Sequence, residues 1–301
     1  MTRVRLGVSP LSWTNDVLED LGGDVPLETC LKEASALGFE GVELGRKFPR
    51  EPEALKRALS PHALDLVSGW WSGRLVERNV PDELAAVADH AELLKAMGCA
   101  VMVYGEVGGM PGPSPLDKPM SRSPSLPSAE LAAYAGRVSE FAERLRERFG
   151  LGLAYHHHLM MVVETAEEVA SFFARTGEAV GILLDTGHAA AAAGFDYRTV
   201  LDAYPTRIRH IHLKDVRRGV LEAVRAQDLS FNEGVRRGMF GTLGQGSVDF
   251  RPIADFVASS GYRGWIVLEA EQDPAKAPPQ AAVAFGLGHL VRSFANARLG
   301  A

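Results

Sequence analysis

Four short stretches hold most of the residues that could bind a cation or move a proton: LAYHHHL with His156, His157 and His158, ILLDTGH with Asp185 and His188, IRHIHLKD with His210, His212 and Lys214, and IVLEAEQDP with Glu269 and Glu271. Glu43 stands in GVELG, and Tyr104 ends another apolar run. Each stretch opens on apolar residues and runs into polar groups. A buried carboxylate without a partner is strongly disfavoured, so repeating this placement calls for a shared partner, and a divalent cation is one. Carboxylate oxygen combined with imidazole nitrogen suits Mn, Fe, Co, Ni or Zn, whereas Mg would take an all-oxygen shell.

Strand geometry sorts the candidates, because side chains two apart share a face. His156 and His158 share one face, with His157 turned away; His210 pairs with His212, and Glu269 with Glu271. In each pair one member can bind a metal while the other supports it or touches substrate. Asp185 belongs to a strand end, and His188 to the loop above it. Taken singly these residues have plainer readings: Asp185 as a helix cap, His210 or His212 as a satisfied core histidine, Tyr104 as packing. Their joint occurrence at one end of successive strands is what points to a site.

The elements that would position them alternate. Strand-like runs cover residues 5–9, 41–44, 65–69, 100–104, 152–156, 180–185, 208–213 and 264–269. Helix-like runs lie between them at 26–37, 81–97, 128–149, 165–175 and 250–260, with Gly38, Gly98, Gly150, Gly177 and Gly261 as stops and Ser128 as a cap. Strands alternating with helices pair in parallel through right-handed crossovers, and eight such units predict an α/β fold closed into a single (β/α)8 TIM barrel spanning residues 1–301. An open doubly wound sheet is the alternative, but the chain after the first strand reads SPLSWTND and has no Gly-rich dinucleotide fingerprint. Two long segments, 105–127 with six prolines and 214–246 rich in Arg and Gly, leave the C-terminal ends of strands, the active face of a barrel. They are expected to be irregular active-site loops.

Composition limits the partners. The chain has 301 residues, 46% hydrophobic and 23% charged, with a net charge of −6. No basic stripe is present to meet a nucleic-acid backbone, and no run of 18 uncharged apolar residues to span a membrane. The N-terminus lacks a signal-like apolar run. Cys30 and Cys99 read as buried free thiols in a reducing, cytoplasmic setting.

LLDTGH, HLKD and the Glu-rich end of the last strand resemble the xylose-isomerase-like barrel superfamily. GVSPLSWTND, LGGDVPLETCLKEASALGFEGVELGRKFP, LVSGWWSG, LAYHHHL, LLDTGH and EAEQDP sharpen the resemblance to the inosose dehydratase family, hydro-lyases of inositol catabolism, over nearly the whole chain. The resemblance implies a divalent ion, manganese or cobalt ahead of zinc, iron and nickel, held by His156, Asp185, His212 and Glu269, with His158 in reserve for the position where many relatives carry Glu and this chain has His156. It implies removal of water from 2-keto-myo-inositol (scyllo-inosose) through a metal-stabilised enediolate. His188 is then the acid or base candidate, Glu43 and Glu271 compete as its partner, and Lys214 can protonate the departing oxygen. Trp13, Asn15, Lys47, Trp70 and Trp71, with Tyr104 and His158, are candidates for the wall that binds the small polyhydroxylated ketone. Where dehydratase relatives show Gly-Thr, this chain has Met160 and Met161. A ketose epimerase or isomerase on the same barrel is the nearest rival, and an endonuclease IV-like phosphodiester hydrolase is more distant. A homo-oligomer is compatible with the long loops.

Overall fold

In the computed structural model, which describes residues 4–295, eight parallel strands close into a barrel. In chain order the strands are β1 (Arg5–Val8), β2 (Gly41–Leu44), β3 (Asp65–Gly73), β4 (Val101–Glu106), β5 (Gly152–His156), β6 (Val180–Asp185), β7 (Ile208–Leu213), β8 (Asp215–Val216), β9 (Phe240–Gly241) and β10 (Trp265–Leu268). The barrel runs β1-β10-β7-β6-β5-β4-β3-β2, while β8 and β9 form a small antiparallel pair outside it. All eight expected strands are present, shifted by a few residues at most. The ends of the expected domain, residues 1–3 and 296–301, lie outside the described residues.

Alternation divides the barrel side chains between two environments. Val101, Val103, Ala154 and Leu183 form a cluster of their own with Trp70 packed against it, and fill the interior beneath the polar strand ends in the manner of a barrel core. The opposite faces join the larger core shared with the surrounding helices, among them Tyr104, Tyr155, Leu184 and Ile211.

Helix boundaries follow local chemistry. Thr165 and Glu168 form a reciprocal capping box at the start of Ala166–Phe173. Gly150 (φ 76°) and Gly261 (φ 70°) end the helices Ser128–Phe149 and Arg251–Ser260 in the left-handed conformation that glycine tolerates. Ser128 is not a cap: Pro127 holds that position and Ser128 opens the helix. The expected helix at 81–97 is divided at Val87 into Val80–Ala86 and Ala88–Ala96. The segment 214–246 is far from irregular, since it contains the helices Arg218–Ala226 and Phe231–Arg236 besides β8 and β9. The segment 105–127 carries two 3₁₀ turns, Pro115–Asp117 and Met120–Arg122. The two segments are tied together by a Pro119–Ser230 bridge, by Met120 N–H donating to Leu229 O at 2.9 Å, and by Ser121 Oγ donating to Asp228 Oδ2 at 2.9 Å. Among the described residues no helix is long and apolar enough to cross a membrane.

Candidate metal centre and active-site pocket

The pairing of β6 with β7 sets Asp185 beside His212, and β10 runs along the other side of β7, where Glu269 N–H donates to Leu213 O at 3.0 Å. Three atoms consequently converge: His212 Nδ1 lies 3.1 Å from Glu269 Oε2 and 3.6 Å from Asp185 Oδ2. All three are buried and, among the described residues, none makes a well-formed hydrogen bond, although Lys214 Nζ lies 3.3 Å from Glu269 Oε2. Donors about 2.0–2.2 Å from a common cation stand roughly 3–3.6 Å apart, so these separations fit a divalent ion. His156 Nε2 approaches Asp185 Oδ2 at 3.6 Å, and its Nδ1–H donates to His157 O at 2.6 Å, which leaves the Nε2 lone pair facing the group. Two carboxylates and two imidazoles are thus available as ligands for a cation.

Supporting contacts fix the ring orientations. Glu43 Oε1 accepts from His212 Nε2 at 3.0 Å, from His210 Nε2 at 2.9 Å and from Ser68 Oγ at 3.2 Å. A His212 proton is thereby placed on Nε2, and Nδ1 faces the Asp185 and Glu269 carboxylates, where either a second proton or a cation can sit; a carboxylate behind the far nitrogen is the arrangement that supports a metal-binding histidine. Asp185 fills two roles, since its Oδ1 accepts from His188 N–H at 2.7 Å and caps the short helix Thr186–Ala191, while Oδ2 stays free. Charge follows the same logic. Burial opposes a charged His212, but the Glu43 and Glu269 carboxylates outweigh it and push its pKa well above the ordinary value. Burial likewise resists ionised Asp185 and Glu269, yet the neighbouring cationic groups hold both below the usual carboxylate range. The centre attracts positive charge.

Beside it, Lys214 is 1% exposed. Its Nζ lies 3.1 Å from Glu271 Oε2, 3.3 Å from Glu269 Oε2 and 3.1 Å from His188 Nε2, and 4.7 Å above the Phe240 ring. Burial disfavours the ammonium, but Glu269, Glu271 and Asp185 hold its pKa up. The glycine of DTGH has a packing reason, since a Cβ on Gly187 would come within 2.5 Å of the Lys214 stem. Thr186 Oγ1 accepts from Lys214 N–H at 3.0 Å and donates to Lys214 O at 2.9 Å. Glu271 is pushed up by burial, and its Oε1 accepts from Asn15 Nδ2 at 3.3 Å.

The His158 and His188 rings lie 3.7 Å apart at 34°. His158 Nδ1–H donates to Leu159 O at 2.6 Å, so its Nε2 carries the lone pair. His188 has protein groups at both nitrogens, Leu159 N–H at Nδ1 (3.3 Å) and Lys214 at Nε2. These groups open on a cavity of about 920 Å³, bordered also by Glu43, Trp70, Met161, Phe231 and Asn232.

Residues 31–292 match the family model described as Xylose isomerase-like TIM barrel. The chain is 45% identical to the Rhizopine catabolism protein MocC of Rhizobium meliloti, over 98% of this chain and 90% of that protein. It is 36% identical to the Inosose dehydratase of Geobacillus thermodenitrificans, over 92% of this chain and 93% of that protein. The chain belongs to the xylose isomerase-like TIM barrels, in the family of inosose dehydratases and MocC. It is a carbon–oxygen lyase of that family. Among solved structures, the IolI protein with a bound zinc atom superposes with a TM-score of 0.71 at 14% identity, covering 97% of this chain and 99% of that one, a likeness of fold.

In this inosose dehydratase-family barrel, Asn15, Trp70 and His158 border the cavity along with Glu43, His188, Lys214 and Glu271. Four candidates for the substrate wall do not. Trp13 is fully buried, its indole N–H donating to Glu33 Oε2 at 2.6 Å. Lys47 spends its ammonium on the carbonyls of Gly22, Gly23 and Val25. Trp71 donates to Glu83 Oε1 at 2.7 Å. Tyr104 lies in the outer core, where it donates to Glu106 Oε2 at 2.9 Å and packs on Phe141 and Tyr155. The strand register explains the last two: Trp70 pairs with Val103 and Trp71 with Tyr104, so one pair faces inward and the other outward. Asn232 escaped the sequence reading, because it sits in a helix inside a segment expected to be irregular.

Proposed function

We propose that this chain removes water from 2-keto-myo-inositol (scyllo-inosose) to give a trihydroxycyclohexane-1,2-dione, with a divalent cation held by His156, Asp185, His212 and Glu269. The observation that supports it most is the convergence of three buried ligand atoms, Asp185 Oδ2, His212 Nδ1 and Glu269 Oε2, none with a well-formed hydrogen bond among the described residues, beside a buried ammonium and a lone-pair imidazole. Substrate class comes from the dehydratase relatives, 36% identical over 92% of this chain. The mixed donor set favours a transition metal over Mg. Manganese or cobalt is the proposed occupant, since each takes coordination beyond four protein donors. Cys30 and Cys99, both buried and free, suit a reducing cytoplasm.

When bound, the cation would supply Lewis-acid polarisation of the ketone and its neighbouring hydroxyl. The chain's own groups move the protons. His158 Nε2 takes the proton from the carbon beside the ketone. Lys214 Nζ, held by Glu269 and Glu271, gives a proton to the hydroxyl on the next carbon, which leaves as water. The enol left behind relaxes to the diketone, and His188, stacked on His158 and 3.1 Å from Lys214 Nζ, lies on the path that returns the proton from base to acid. Glu43 carries no proton in this scheme, because its Oε1 is occupied by two imidazole N–H groups and a hydroxyl.

The test is to strip the protein of metal, reload it with Mn, Co, Zn or Mg separately, and follow the ultraviolet absorption of the diketone on adding inosose. Epimerised polyol without diketone would replace the dehydratase reading with the epimerase one. No product with any metal would defeat both.

A further inference from the structure

We propose that Asn232 accepts a hydrogen bond from a ring hydroxyl of the substrate, with Asp117 as the positioning residue that fixes its amide. This deepens the reading of the substrate as a polyol and rests on it. Asn232 is the second residue of the helix Phe231–Arg236, whose start is capped by Ser230 accepting from Glu233 N–H at 3.1 Å. The preceding Phe231 stacks parallel to His188 (6.1 Å, 7°) and lies 5.5 Å from His158. The amide is therefore carried on the element that packs against both site histidines.

Asn232 borders the cavity but is 6% exposed. Its Nδ2 donates to Asp117 Oδ1 at 2.7 Å. An ionised carboxylate only accepts, so this partner decides which end of the amide is nitrogen and leaves Oδ1 as the acceptor. Among the described residues that Oδ1 is buried and has no hydrogen-bond partner. A buried acceptor without a donor is costly, and a polyol can supply the donor. The cavity lining includes the apolar Phe231, Leu116, Pro115 and Met161 as well as Asp117, whose carboxylate is already taken by the Asn232 amide. A hydroxyl presented to Oδ1 meets an acceptor that has no other donor among the described residues, and a substrate with hydrogen in its place leaves that acceptor empty. Sites that read a hydroxyl in this way discriminate strongly against analogues lacking it.

Asp117 belongs to the segment after β4 and Asn232 to the segment after β7. The bridge between Pro119 and Ser230, with the Met120–Leu229 and Ser121–Asp228 bonds, holds the two segments in register two to four residues from the amide. The tie between the long loops thus has a job in recognition: it sets the orientation of one side chain.

The test compares the metal-loaded wild type with Asn232→Ala, Asp117→Ala and Asp117→Asn for inosose and a set of monodeoxy inososes, measuring KM, kcat, calorimetric binding of inosose, metal content and thermal midpoint. Asn232→Ala should raise KM and weaken binding roughly 10- to 100-fold, the range for losing a hydrogen bond that leaves a buried group unpaired, with kcat within about threefold and metal content unchanged. It should also abolish the wild type's preference for inosose over one particular deoxy analogue. Asp117→Ala should reproduce part of the KM effect and add nothing in the Asn232→Ala background, while Asp117→Asn, which keeps an accepting oxygen, should restore near wild-type KM. An active wild type with unchanged KM and binding in folded Asn232→Ala overturns the Asn232 assignment alone. A wild type inert on inosose overturns the substrate reading beneath it.

Discussion

His212 Nδ1 and Glu269 Oε2 face each other at 3.1 Å, both buried, and among the described residues neither makes a well-formed hydrogen bond. A lone pair pointed at a carboxylate is repulsive unless something positive stands between them, and Asp185 Oδ2 at 3.6 Å from the same nitrogen makes the demand stronger. A proton or a cation satisfies it. Asp185→Ala should therefore lose bound metal and activity while the barrel stays folded, because the removed side chain also capped only a six-residue helix. Metal analysis beside far-ultraviolet circular dichroism checks this; full metal occupancy in the variant would refute the ligand set.

Glu43 contributes by holding His212. Glu43→Gln should weaken metal affinity roughly 10- to 100-fold, the usual effect of disturbing a residue that orients a ligand, since an amide cannot accept from both imidazoles with the same oxygen charge. Competition with a chelating indicator measures it. An unchanged affinity would leave Glu43 as a packing residue.

In the proposed scheme, proton transfer can be separated from metal binding at His158. His158→Ala should retain metal and lower kcat by roughly 100- to 10,000-fold, the range for a group that moves a proton in the transition state. His188→Ala should lower it less, because His188 acts through Lys214. Turnover at the wild-type level in His158→Ala would take that residue out of the chemistry.

A pH effect on stability is expected at Glu106. Glu106, on β4, is fully buried and accepts from Tyr104 Oη and from the backbone N–H groups of Gly108 and Val76, and burial pushes its pKa up to about 7. A carboxyl raised in the folded state contributes stability that is complete below its unfolded pKa, near 4.5, and is lost as pH rises through about 7. Glu106→Gln removes the titration, so its unfolding free energy relative to wild type should rise by on the order of 3 kcal/mol between pH 4.5 and 8 and then level off. Urea unfolding of both proteins across that range reads the difference, and a flat difference would show that Glu106 does not titrate there.

The barrel was legible because β-branched runs and amphipathic runs alternate, and each strand end in the second half carries its own mark: His156, Asp185, His212 and Glu269. Those marks interrupt apolar runs, which is costly enough to be noticed in a single sequence. The Trp70-Trp71 pair shows where reading stops. Adjacent strand residues take opposite faces, and only the register with β4 tells which tryptophan looks inward. Lys47 and Trp13 failed for a different reason: their partners, the carbonyls near Gly22 and the Glu33 carboxylate, come from the loop after β1 and the following helix, whose placement no spacing announces. The helix Arg218–Ala226 could have been found, since Val220, Leu221 and Val224 follow helical spacing. Asn232 could not, for its meaning depends on Asp117, more than a hundred residues earlier.

The stitching of residues 119–121 to 228–230 bears on how the protein responds to salt. It joins loops from β4 and β7, with β5 and β6 between them, and is made partly of main-chain bonds that salt hardly touches. The helix it supports reaches the β1 side through Arg236 and Asp20, an exposed ion pair at 2.6 Å that ionic strength weakens. One edge of these joined segments is fastened by main-chain bonds and the other by an exposed ion pair. Added salt should weaken the Arg236–Asp20 edge first and leave the other in place.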